Sequence, residues 1–218
     1  FWAVVWGIGD LASRSRFRQI GAALGAAAVL FFSCVRTYSQ VLVWENTETL
    51  FAHAVKVTEK NAVAHHNLGV ALYRKKELDA AMNHYRKALE INPRYIDAAN
   101  NLGAALLEKG DFKEAERIFR RILKARLGRG QAYLAHANLG LLFARQGKDQ
   151  EAIDAFTRAI EYRPDAPEAY HRVGLIFMRR KNPSGARQFF QLATKADPSF
   201  APARKSLTQL REIEGNQP

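Results

Sequence analysis

A single cysteine, Cys34, in 218 residues leaves no partner for an internal disulfide and no pair for a cysteine-based zinc site. The six histidines never fall in His-Glu-x-x-His order. Gly7 and Gly9 stand alone, so neither a phosphate-cradling loop nor a dinucleotide fingerprint is formed, and no Ser-His-Asp spacing survives. No catalytic residue, metal or cofactor is therefore expected in these residues, and the chain is not expected to be an enzyme by itself. Acidic side chains are also in deficit, with 21 Asp+Glu against 33 Lys+Arg and a formal net charge of +12. Residues 1–60 hold six basic and four acidic side chains, so most of the excess lies further on. Such a balance attracts acidic proteins, anionic lipid or nucleic acid without choosing among them. No nucleic-acid-binding module accompanies it, so nucleic acid is not an expected partner.

Long apolar runs are few. Residues 1–8 (FWAVVWGI) are too short to span a bilayer but suit the tail of a span. Because the chain begins at Phe1 inside that run, it is expected to be a piece of a longer protein. Arg14, Arg16 and Arg18 come next, and then residues 20–35 (IGAALGAAAVLFFSCV) run without a charge. An apolar tail, a basic loop and a second apolar run read as a hairpin of membrane spans, with Gly21 and Gly25 as a small-residue face for close helix approach. The alternative is a buried, alanine-rich helix of a soluble protein. A cleaved signal peptide fits less well, since no small-residue cleavage site closes the apolar run. On the spanning reading the protein is integral to the cytoplasmic (inner) membrane and touches lipid through its amino-terminal segment. The basic loop lies on the cytoplasmic side and everything after the span outside.

The rest of the chain repeats itself. Leu68-Gly69 returns as Leu102-Gly103, Leu139-Gly140 and Val173-Gly174, at intervals of 34, 37 and 34 residues. A period near 34 marks a solenoid of helix pairs that bury their core between neighbours. Counting each repeat from Ala62, Ile96, Tyr133 and Pro167 aligns the chemistry. Small Ala81, Ala115, Ala152 and Ala186 of the second helix face the glycine. Tyr85, Phe119, Phe156 and Phe190 stand one helical turn later. Pro93, Pro164 and Pro198 end second helices, and repeat two lacks that proline. It carries three extra residues within 125–130 instead, for which a longer loop is expected. Before the repeats, residues 44–60 read as the second helix of an incomplete repeat able to pack on residues 62–74. After them, residues 200–218 read as a capping helix and a frayed tail. The expected segments are thus 1–43, 44–60, four repeats of about 61–94, 95–130, 131–165 and 166–199, and 200–218.

The four registers resemble the tetratricopeptide repeat (TPR) family over about residues 61–218. That resemblance implies an all-α TPR α-solenoid: four helix pairs, a preceding half-repeat and a C-terminal capping helix, here after an N-terminal transmembrane helix. It also implies a concave face lined by the first helices that binds peptides. Asn67-Leu68-Gly69, Asn101-Leu102-Gly103 and Asn138-Leu139-Gly140, broken in the fourth repeat by Arg172, resemble the repeat region of O-GlcNAc transferase. There an asparagine ladder holds a peptide backbone, since an amide both donates and accepts. The alternative is that these asparagines merely cap and space helices. The join across residues 40–69 is similar to the transmembrane-and-TPR protein O-mannosyltransferases, whose catalytic acids lie in loops this sequence does not contain.

In this family first-helix positions two, five, six, nine, twelve and thirteen point inward. The groove candidates are accordingly Asn67, Tyr73, Arg74, Asn100, Asn101, Asn138, Arg145, His171, Arg172 and Arg179. Arg74, Arg145 and Arg179 share one position beside Asn and Tyr, which suits an extended peptide with acidic groups; Glu108 interrupts that row. His65 and His136 share a position where a ring packs, whereas His66 and His171, one place on, face the groove. The stripe of Arg117, Arg120, Arg121 and Lys124 reads as a solvated face, partly balanced by Glu114 and Glu116, with anionic lipid or an acidic partner as the alternative. The expected function is a membrane-anchored scaffold that binds extended polypeptide or a partner protein in its groove. Substrate positioning for a membrane glycosyltransferase and a purely structural, oligomerising array are the alternatives.

Overall fold

The computed structural model describes residues 16–43, 46–58 and 60–215, all in helices and short turns. The helices are α1 (Arg16–Val43), α2 (Thr47–Val57), α3 (Ala62–Arg74), α4 (Leu78–Ile91), α5 (Ile96–Lys109), α6 (Phe112–Leu123), α7 (Arg129–Arg145), α8 (Asp149–Tyr162), α9 (Pro167–Arg179), α10 (Pro183–Ala196) and α11 (Ala201–Gly215). They divide into two compact units, residues 1–59 and 60–218. The apolar run 1–8, Arg14 and the tail 216–218 lie outside the described residues.

In the first unit, α1 displays its apolar side chains: Leu24 is 67% and Phe32 70% exposed. A Cβ built on Gly21 or Gly25 would meet nothing, so the small-residue face has no partner helix among the described residues. Among those residues no helix is long and apolar enough to cross a membrane. At 1.5 Å per residue the uncharged stretch 20–35 reaches about 24 Å, short of the ~30 Å hydrocarbon layer, and Arg36 comes directly after it. The transmembrane helix read from the sequence is corrected on that ground. The integral-membrane placement, outward-facing repeats and lipid contact built on it lose their support. Helix α2 opens on a capping box, with Thr49 N–H donating to Asn46 Oδ1 at 2.9 Å and Asn46 N–H donating to Thr49 Oγ1 at 3.3 Å.

In the second unit the pairs α3/α4, α5/α6, α7/α8 and α9/α10 stack in order, and α11 covers the last. Each pair is closed by its glycine and ring. A Cβ on Gly69 would lie 2.6 Å from Tyr85 Cε1, and one on Gly140 would lie 2.8 Å from three atoms of the Phe156 ring. Tyr85, Phe119, Phe156 and Phe190 are all buried, with Ala81, Ala115, Ala152 and Ala186 beneath them. The turn inside each pair requires a left-handed residue at one fixed place. Gly110 (φ 91°) and Gly147 (φ 74°) supply it freely, whereas Lys76 (φ 67°) and Lys181 (φ 56°) hold it against side-chain strain. Helices α4, α8 and α10 end two residues before Pro93, Pro164 and Pro198, because a proline disfavours helical backbone at the residue before it.

The extra residues of repeat two behave differently from expectation. They mainly lengthen α7, which has 17 residues where α3, α5 and α9 have 13, 14 and 13. No proline blocks helix there, and Gly128 in extended backbone opens it, its N–H facing Gln131 Oε1 at 3.5 Å. Successive first helices touch one another, α3 to α5, α5 to α7 and α9 to α11, whereas second helices pack on the first helices of their own and the following repeat. The stack therefore curves inward on the first-helix side.

Candidate functional site

The first-helix face carries two rows of polar contacts that step from one repeat to the next. In the first row, position five of a repeat meets position six of its successor. Asn101 Nδ2 lies 2.9 Å from His66 Nε2, and Tyr95 Oη lies 3.1 Å from His66 Nδ1. With the amide donating to Nε2, the ring is neutral and carries its proton on Nδ1. Burial lowers the His66 pKa and so disfavours its charged form, with Asp97 acting the other way. At the next junction Asn138 Nδ2 donates to Asn100 Oδ1 at 3.3 Å. Asn100 is only 3% exposed and its own Nδ2 has no partner among the described residues. It is thus a support beneath the groove and not a surface of it. At the last step His171 Nε2 lies 3.1 Å from Ser206 Oγ on α11, with its ring between Phe190 and Phe200.

The row breaks once. Position five of repeat three is Ala137, which has no polar side-chain atom to offer. Arg172 at position six of repeat four makes no side-chain hydrogen bond or ion pair among the described residues. Its exposed guanidinium, with those of Arg145 and Arg179, borders a cavity of about 460 Å³ floored by Leu141, Phe156 and Leu175. A smaller hollow adjoins it at Tyr133, Asn138 and Glu168.

In the second row, position twelve of one repeat meets position thirteen of the next. Arg145 Nη1 donates to the Leu107 carbonyl at 2.9 Å, and Arg179 Nη1 to the Ala144 carbonyl at 3.1 Å. Arg179 also binds the Asp149 carboxylate, which Arg180 Nε reaches at 3.2 Å. Burial alone would raise the Asp149 pKa, but the two guanidiniums outweigh it and hold it below the ordinary value. Glu108 takes the same place in repeat two with opposite charge, and the partners are reversed to match. Lys76 Nζ donates at 2.8 Å and Tyr73 Oη at 2.5 Å, and both lower the Glu108 pKa. Burial and the adjacent carboxylate push the Tyr73 phenol up to about 12.

Of the ten residues named from the sequence, Tyr73, Asn100, Asn101, Asn138, Arg145, His171 and Arg179 are thus engaged in bonds between repeats. Arg172 is not, and Asn67 and Arg74, half-buried and exposed, make no side-chain hydrogen bond or ion pair among the described residues. Sequence reasoning missed Ser206 and the pairing of Tyr73 with Glu108. Both could be found by setting position five against the next repeat's position six, and twelve against thirteen. His65 and His84 stack with Nδ1 atoms 3.0 Å apart, and His136 stacks on Tyr162. Among the described residues no three potential metal ligands come together.

Comparison with known proteins agrees with this architecture. Tetratricopeptide repeat models match residues 94–165 and 150–199, and a TPR repeat model matches residues 71–110. The chain is similar to protein O-mannosyl-transferase TMTC3 of Homo sapiens, 27% identical over 89% of this chain and 22% of that protein. It is also similar to Tmtc3 of Drosophila melanogaster, 26% identical over 77% of this chain and 19% of that one. The chain therefore spans about a fifth of the length of these curated relatives. Among solved structures, a thermophilic TPR protein of Thermus thermophilus superposes with a TM-score of 0.63 at 17% identity. That match covers 81% of this chain and 96% of that one. MamA of Desulfovibrio magneticus RS-1 gives 0.62 at 19%, over 78% and 96%. With four helix pairs closed alike and three repeat models matched along them, the chain belongs to the tetratricopeptide repeat family.

Proposed function

We propose that the first-helix face binds an extended, acidic segment of a partner polypeptide, centred on the junction between repeats three and four. The observation that carries this is Arg172. It is a guanidinium with no ion pair among the described residues, beside an apolar-floored cavity of about 460 Å³, at the one step where the row of inter-repeat contacts fails. A carboxylate reaching Arg172 makes a charge-assisted hydrogen bond, and Leu141 and Leu175 cover the adjoining apolar side chain. Asn101 and Asn138 use their amide nitrogens between repeats and keep carbonyl oxygens for the N–H groups of a bound backbone. Similarity to the O-mannosyl-transferases supports a client handed to an enzyme as a second reading. No catalytic role falls to these residues in either.

The test is crosslinking of an acidic peptide carrying a photoreactive residue. Asn101→Ala plus Asn138→Ala is expected to abolish crosslinking while the helical circular dichroism persists, and Arg172→Ala to weaken it. Crosslinking untouched by either change leaves only a structural or oligomerising role and sinks the proposal.

A further inference from the structure

A second cleft lies away from the groove, between the turn at residues 92–95 and the end of α6. Its volume is about 470 Å³. Its origin is a missing ring. At position four of the first helix, repeats one, three and four carry His65, His136 and Tyr170, and repeat two carries Ala99. In repeat one the ring stacks on His84, and in repeat three on Tyr162 of the second helix. The residue corresponding to Tyr162 in repeat two is Ala125. Where repeat three packs two rings face to face, repeat two has two methyl groups and an open space, with Tyr95 along one wall.

The rim of that space is charged with one sign. Arg94 comes from the turn, Arg121 from the last turn of α6 and Arg126 from the loop after it. All three are exposed, and none of their side chains makes a hydrogen bond or ion pair among the described residues. Asp97, the acid in the first turn of α5, accepts from Gln131 Nε2 at 3.3 Å and does not line the cleft. By contrast, Arg117 and Arg120 on the same α6 pair with Glu114 and Glu116. Three guanidiniums with no ion pair among the described residues, set around an apolar hollow roomy enough for an aromatic side chain, define the complementary ligand.

We infer that this cleft is a second docking site, which takes an aromatic side chain flanked by carboxylates from a partner polypeptide. The ring replaces the one repeat two lacks, lying against Ala99, Ala125 and Tyr95. The flanking carboxylates meet Arg94, Arg121 and Arg126. The site does not depend on the groove, since none of its residues lies in either inter-repeat row except Tyr95, whose hydroxyl faces His66.

The probe is a fluorescein-labelled pentapeptide with tryptophan between two pairs of aspartates, titrated into the whole chain and read by anisotropy. Saturable binding is expected. Replacing the tryptophan by alanine should weaken it by about tenfold or more, the equivalent of burying one large apolar side chain. Ala125→Tyr, which restores the ring of repeat three at an exposed position, should weaken it by about as much with helical content and Tm unchanged. Ala99→His tests the same filling from the other wall. Arg94→Gln plus Arg126→Gln should weaken binding and flatten its salt dependence. Three results overturn the proposal: no saturable binding, equal binding of the alanine-centred peptide, or binding indifferent to Ala125→Tyr. A fourth is loss of binding in the Arg172→Ala variant, which would place the peptide in the groove instead.

Discussion

Inside a repeat, a glycine on the first helix admits a buried ring from the second, Tyr85 in repeat one and a phenylalanine in the other three. Between repeats the chemistry changes at every step. The first junction is tied by His66 to Asn101 and by Tyr73 and Lys76 to Glu108. The second is tied by Asn100 to Asn138 and by Arg145 to a carbonyl. The third has Arg179 on a carbonyl and on Asp149, with Arg172 left over. The seam is a packing problem with one good answer, so it recurs. The junction needs only a matched donor and acceptor, so its residues vary in pairs, and a failure to pair leaves a group for something else.

The largest effect should come from the seams and be alike in all of them. Phe119→Ala and Phe156→Ala each empty a buried ring site and should cost about 3–5 kcal/mol, measured as equal losses in chemical unfolding. A loss confined to one repeat would break the equivalence. The junctions should cost less and depend on which partner is cut. Tyr73→Phe removes one hydrogen bond from a carboxylate that Lys76 still holds, for a loss of about 1 kcal/mol. Tyr73→Phe in a Glu108→Gln background should cost less than in the parent, and an unchanged cost would sever the pairing.

Acid should act on the same contrast. His65, His66, His84, His136 and His171 all have pKa values lowered from 6.5, with burial as the largest cause. A lowered folded-state pKa means the unfolded chain binds the proton first. The contribution of these rings is then complete above pH 6.5 and is lost as pH falls below it toward the folded-state values. Protonating His66 would also set two donors face to face at Asn101, and protonating both rings of the 3.0 Å His65–His84 pair would do the same. Melting monitored from about pH 7.5 down to about pH 5 should show Tm falling, and His66→Gln should reduce the slope. A Tm that rises over that interval would overturn the assignment.

The fold was legible because the seams repeat. Leu68-Gly69 and its three copies, the alanines and the rings sit at one spacing, and every one of them lands where the register puts it. The candidate site was less legible because position alone does not say which way a side chain is engaged. Arg74, Arg145 and Arg179 read as one row, yet Arg145 and Arg179 reach back to carbonyls, while Arg74 makes no side-chain hydrogen bond or ion pair among the described residues. The difference lies in what precedes them: α3 has no earlier repeat of its own unit before it, so Arg74 has no carbonyl behind it there. The long α7 was missed because glycines at 128 and 130 read as loop, and Gly128 instead opens the helix.

The smallest expected effect on stability is the sharpest test of the comparison. Ala137→Asp puts a carboxylate at position five of repeat three, where His66, Asn100 and His171 stand in the other repeats. The substitution lies at a half-buried site on an already polar face, so stability should change by no more than about 0.5 kcal/mol. Its consequence is electrostatic. The new carboxylate is offset from Arg172 by the same repeat step that joins Asn100 to Asn138, and pairing the two completes the row. The acidic peptide then loses its cation, and its affinity should fall to that of Arg172→Ala without addition to it in the double variant. Additive losses would mean that the introduced carboxylate repels the peptide without engaging Arg172, and that the gap at Ala137 is not why Arg172 is available.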